Sequence, residues 1–211
     1  VVVQNWSISR ELISRSHPAE LTAHTPIGWV GHMACLPKPG MSAFLENGRS
    51  LVAESGQWYL DRKLGTLYYK AADGEDPNTR RFVAPRLKQV VNIGGTHQRP
   101  VRNLHFRGIQ FEYANWLIPE IGYDGNQACY HGTTVEETAC YATAAAIELE
   151  YCEGCSISES RMRGTGGSAI GIGAGCRGNR IVGCEISDIG ATGIHLGYMK
   201  IKDPLWADWP S

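Results

Sequence analysis

Two glutamates separated by a single residue, Glu148 and Glu150 in "AIELEY", are the side chains in this sequence whose type and spacing most invite chemistry. On an extended strand, residues i and i+2 face the same way with about 6.6 Å between them. That distance falls within the ~5 to 9.5 Å that separates the two carboxyl groups of a glycoside-cleaving pair. The pair is more simply the solvated side of a strand. Nothing in the sequence drives the two carboxyls to different pKa values, which an acid and base working together require. They are therefore weak catalytic candidates and better suited to binding. Further outward positions continue the row, with Gly171 and Gly173 in one following segment and His195 and Gly197 in the next. Glycines in the middle would leave a shallow floor between carboxylates and an imidazole, open to solvent.

Aromatic residues are a second sugar-directed signal, because a pyranose ring lays its apolar C–H face on an indole or phenol ring. "YANWLIPEIGYDGNQACYHG" supplies Trp116, Tyr123, Asp124, Tyr130 and His131. Trp116 and Tyr123 could equally pack their own loop. The candidate substrate-binding residues are thus Gly171, His195, Trp116, Tyr123, Asp124 and His131.

What must position these residues is a repeat. Laying Cys152 on Cys176, an offset of 24, puts Gly154 on Gly178, Ile157 on Ile181, Met162 on Ile186 and Gly166 on Gly190. Ile147 and Leu149 fall on Ile170 and Ile172 at 23, so the second copy carries one extra residue, placed at Ala174–Gly175. Apolar residues alternate in Ile147/Leu149, Ile170/Ile172 and Ile194/Leu196, the pattern of a strand with one buried face. Upstream, Phe106, Gly108 and Phe111 precede Ile181, Gly183 and Ile186 by 75, and Val91 and Ile93 supply the matching first strand. A unit of this length, with short strands and no helix signal, predicts an all-β chain: a right-handed parallel β-helix (solenoid) preceded by a small antiparallel β region. Residues 86–211 would form the coils, interrupted by a loop insertion at 112–145. Residues 1–85 would form the antiparallel region, with "GQWYLDRKLGTLYYK" as a hairpin and further strand-like runs such as "SLVAE". The segment after Ile194 opens a strand without completing a coil, so the remaining coils of a longer parent chain are the expected partner.

Seven cysteines raise the question of metal or disulfide chemistry. Cys152, Cys155, Cys176 and Cys184 lack the spacing of matched zinc knuckles. The repeat accounts for them better, stacking Cys152 on Cys176 and Cys155 on Asn179 as packed, reduced thiols, so no metal is expected. "GTGGSAIGIGAG" lacks the Lys-Ser/Thr ending of a phosphate loop, so no cofactor is expected either. Asp188 sits at a bend, where it is expected to accept backbone hydrogen bonds. A net charge of -1 leaves no basic footprint for nucleic acid, and no apolar run approaches the ~20 residues that span a membrane.

The order "WYLDRKLGTLYYKAADGEDPNT", "VAPRLKQVVNIGGT", "PVRNLHFRGIQFEYANWLIPEIGY", "IVGCEISDIGATGIHLG" resembles the opening part of bacterial right-handed parallel β-helix proteins related to glycoside hydrolase family 141. The resemblance runs from about Ser55 onward. It implies a secreted or periplasmic glycoside hydrolase acting on plant-type or complex polysaccharide, with fucosidase and xylanase activities in the family. It also implies that the catalytic carboxylates lie in coils beyond this segment, so no catalytic residue is carried over. A polysaccharide lyase or epimerase, or a non-catalytic glycan-binding module, would use the same scaffold.

Overall fold

The computed structural model describes residues 2–3, 8–24, 27, 38–118, 123, 130–131 and 141–197. Among them the chain is built of strands and turns, with no α-helix. The antiparallel pairs come first. Val2–Val3 pairs with Ile8–Ser9, Ile13–His17 with Glu20–Ala23, and Trp58–Asp61 with Thr66–Tyr69. The last is the predicted hairpin, turning through Gly65 at φ 64°. "SLVAE" is not a strand as expected: Arg49–Leu51 forms a single 3-10 turn instead.

From Val91 onward the sheets are parallel. The first sheet holds Val91–Gly94, Ala145–Glu150, Ser168–Ile172 and Ile194–Leu196, in that spatial order. The second holds Val101–Arg102 and Cys152–Glu153. The third holds His105–Arg107, Ser156–Ser158 and Arg180–Val182; the fourth holds Gln110–Glu112, Arg161–Thr165 and Glu185–Ile189. Each sheet thus stacks equivalent strands from successive copies of the repeat. Ile147 stands beside Val91 and Ile170, and Ile170 beside Ile194. Phe106, Ile157 and Ile181 form another row, as do Phe111, Met162 and Ile186. The rows converge on one core in which Ile147, Met162, Ile170 and Cys152 are fully buried, each large aliphatic contributing about 1.5 to 3 kcal/mol. Ile194 and Leu196 depart from expectation. They are 40% and 76% exposed, and among the described residues only one of their sides meets a neighbouring strand.

Corners repeat as faithfully as strands. Asn103, Gly154 and Gly178 share a left-handed backbone, as do Gly108, Glu159 and Gly183, and Tyr113, Gly164 and Asp188. An L side chain costs roughly 1 to 2 kcal/mol in that region, so glycine fills most of these positions. The corner between third and fourth sheets has constant length: Phe106 to Phe111, Ile157 to Met162 and Ile181 to Ile186 are equal steps. The corner after the first sheet varies. The extra residue of the copy that begins with Ile170 falls at Ala174–Gly175 as predicted, where Tyr151 N–H donates to the Ala174 carbonyl at 2.7 Å. Outside, charges of opposite sign meet across neighbouring copies: Arg102 with Glu153, Arg107 with Glu159, Arg161 with Glu185 and Arg163 with Glu112.

Candidate functional site

Strand register places Asn92, Glu148, Gly171 and His195 side by side on the first sheet, as the repeat requires. The expected open groove is absent, however. Glu148 and His195 are each only 9% exposed, and Gly171 is buried between them. Alternation along a strand fixes which way a side chain points, not whether that side meets solvent, and the neighbouring Ala145, Ala146 and Ala169 are buried as well. The Glu148 carboxylate accepts the Ala145 N–H at 2.9 Å. The His195 ring occupies the space above Gly171, its Nε2 lying 2.8 Å from where a Cβ would stand. Burial holds the imidazole pKa below its usual value, and the Glu148 carboxylate opposes that shift. Glu150 is exposed. The two glutamates are therefore not a matched pair facing a common substrate.

The half-buried rings of Trp116 and Tyr123 meet edge to face at 5.5 Å. Tyr123 also bridges Arg10 through two backbone hydrogen bonds, 2.8 and 3.1 Å. These contacts match the packing alternative for both residues. Asp124 and the side chain of His131 lie outside the described residues; the His131 backbone pairs with Tyr141.

Sequence reasoning missed a shallow cleft, wide open to solvent and about 420 Å³ in volume, along the corner that follows the fourth sheet. Three copies contribute equivalent residues: Tyr113 and Asn115, Gly164 and Gly166, Asp188 and Gly190. The floor is backbone. A Cβ on Gly190 would stand 2.2 Å from the Gly166 carbonyl oxygen, and one on Gly166 would stand 2.8 Å from Trp116 N. The Tyr113 ring rests on Gly164, 3.0 Å from where its Cβ would be. Floor amides are already engaged, Gly166 N–H to the Ala114 carbonyl and Gly190 N–H to the Thr165 carbonyl, both at 2.8 Å. Recognition there falls to side chains. Among the described residues, those of Tyr113, Asn115 and Asp188 make no hydrogen bond or ion pair, so Asp188 does not accept the backbone bonds expected of it. The available signal was the glycine recurring at offset 24 in Gly166 and Gly190, which marks a position with no room for a side chain.

Cys152, Cys155, Cys176 and Cys184 are free thiols. Burial, aided by neighbouring Cys176 and Cys155, pushes the Cys152 thiol up to about 12. Cys152, Cys176 and Cys184 donate to backbone carbonyls of Ile93, Leu149 and Ile157 at 3.5, 3.4 and 3.5 Å. Asn179 completes the expected stack on Cys155, accepting its N–H and donating to the Cys152 carbonyl, both at 2.9 Å. Among the described residues no three His, Cys, Asp or Glu side chains are grouped to hold a metal.

No protein-family model, no curated protein and no solved structure matches this chain.

Proposed function

We propose that this chain is a stretch of right-handed parallel β-helix in a carbohydrate-active protein, and that it holds a glycan along the corner cleft. The observation carrying this reading is the cleft itself, which crosses three stacked copies and is floored by glycine backbone. Equivalent positions recur at about the 4.8 Å strand spacing, a periodic surface suited to an extended polymer of repeating units. The winding is supported by the constant register of four parallel sheets and their stacked left-handed corners. Connections between parallel strands are right-handed in nearly all known sheets. The resemblance in the hairpin and Arg-Gly-x-x-Phe segments extends the proposal to a secreted or periplasmic glycoside hydrolase of plant-type or complex polysaccharide. Catalysis would then rest on carboxylates in the remaining coils.

A second reading, a non-catalytic glycan-binding module, is favoured by one observation: Glu148 is buried and its carboxylate is engaged by Ala145 N–H. Affinity electrophoresis through xylan, a fucosylated glycan and homogalacturonan, with reducing-sugar release measured in parallel, tests both readings. Retardation by at least one polysaccharide without release of reducing ends is the expected result. Migration unaffected by every polysaccharide would overturn the glycan reading, and release abolished by Glu148→Gln would overturn the placing of catalysis elsewhere.

A further inference from the structure

We infer that Cys152 and Cys176 form a reversible disulfide site, which staples two successive copies of the repeat together when the chain meets a low-molecular-weight disulfide. The inference is independent of the glycan reading. It starts from register: Glu153 and Arg177 bridge in parallel, and Arg177 N–H donates to the Cys152 carbonyl at 2.9 Å. Cys152 and Cys176, each one residue earlier, are therefore lateral neighbours at the ~4.8 Å strand spacing, inside the ~4.4 to 6.8 Å between Cα atoms that a disulfide spans. Both side chains turn into the same apolar core. Cys176 leans back toward the copy that holds Cys152, its thiol donating to the Leu149 carbonyl at 3.4 Å, and each thiol perturbs the ionisation of the other. Cys155 and Cys184 provide the contrast. Cys155 is stacked on Asn179, and Cys184 occupies the place that Ser160 holds in the preceding copy. Among the described residues, neither has a thiol at the equivalent place next to it.

Burial sets the order of events. Cys152 is fully buried with its thiol pushed up to about 12, whereas Cys176 is half-buried. The Cys176 thiolate therefore attacks first, bonding to one sulfur of the small disulfide and expelling the other half as a thiolate. Cys152 then loses its proton, turns away from the Ile93 carbonyl 3.5 Å from its sulfur, and attacks the Cys176 sulfur, expelling the second half. Two protein thiols are oxidised, one small disulfide is reduced to two thiols, and the two protons pass to those products. The new bond ties the copies beside the Ala174–Gly175 corner, where chain length varies from copy to copy.

Peptide mapping by mass spectrometry under non-reducing conditions tests the inference, on the whole reduced chain incubated with oxidised glutathione at about pH 8 without denaturant. In the wild type and in Cys155→Ser, the peptide bearing Cys152 should be joined to the one bearing Cys176. In Cys152→Ser the link should vanish, and Cys176 should keep a glutathione adduct, the product of the first attack. The joined chain should melt about 5 °C or more above the reduced chain, and dithiothreitol should abolish the difference. Cys176 left unlinked in the wild type, whether free or carrying glutathione, a link that Cys155→Ser abolishes, or a joined chain that melts no higher than the reduced one would each overturn the inference. The wild-type map decides the matter even where a variant fails to fold.

Discussion

His195 closes over Gly171, with its Nε2 2.8 Å from the point a Cβ on that glycine would occupy, and the Ala145 methyl is 3.3 Å from the same point. Bulk at position 171 therefore enters a packed region. Gly171→Ala should cost about 1 kcal/mol and Gly171→Trp about 3 kcal/mol or more, as overpacking does, measured from urea midpoints. A Gly171→Trp protein with an unchanged midpoint would show this side of the sheet to be open.

The same pair sets an acid sensitivity. Burial keeps the His195 pKa below the ordinary value of about 6.5, so the unfolded chain takes up a proton more readily than the folded one. Its stabilising contribution is complete above about pH 6.5 and is lost as pH falls through the lower folded value. His195→Gln should flatten the decline in stability between pH 7 and 5. Glu148→Gln should lower the imidazole pKa further, read by NMR titration, since it removes the carboxylate that opposes the shift.

At the alkaline end the control passes to Cys152. Its folded pKa, up to about 12, exceeds the ~8.5 of an unfolded thiol. Stability from this group is full below that unfolded value and declines as pH rises through about 12. Native Cys152 should resist iodoacetamide at pH 8 under conditions that label it fully in denaturant, as mass spectrometry of the peptide would report. Equal labelling in both states would contradict its burial.

Two corner substitutions should act in opposite directions. Glu159→Gly puts glycine where its neighbours Gly108 and Gly183 already have it, at φ 50°, and removes only an exposed ion pair with Arg107. Such pairs contribute about 0 to 1 kcal/mol, so stability should stay level or rise by up to about 0.5 kcal/mol. Gly175→Ala combines φ +65° with a Cβ 2.2 Å from the Tyr151 ring and should lose about 2 kcal/mol or more. Guanidinium denaturation of the two variants distinguishes them.

Much of the parallel core was legible because its signal is local and repeated. Ile147, Ile170 and Ile194 alternate with small or polar neighbours, and the single-residue slip at Ala174–Gly175 shows in the spacing alone. Burial of the other side of the first sheet was not legible. It depends on what lies over Glu148 and His195, a long-range relation that alternation does not encode, although Ala146, Ala169 and Gly171 hinted at it by their size. The cleft was harder still. Its shape comes from left-handed corners at Tyr113, Gly164 and Asp188, and only the glycine among these announces such a backbone by its type.

The uneven corner after the first sheet has a practical meaning. From Ile93 to Val101 the chain spends more residues than from Leu149 to Cys152 or from Ile172 to Cys176, yet the strands on either side keep their register. Length at that corner is uncoupled from alignment, and extending a flexible loop costs only about 0.6 kcal/mol per doubling. The exposed turn from Thr96 to Arg99, where this corner is already longest, is thus a natural port for foreign sequence. An epitope or a binding peptide grafted there would be displayed on a rigid edge while the rows of Ile147, Ile170 and Ile194 stay in step beneath it.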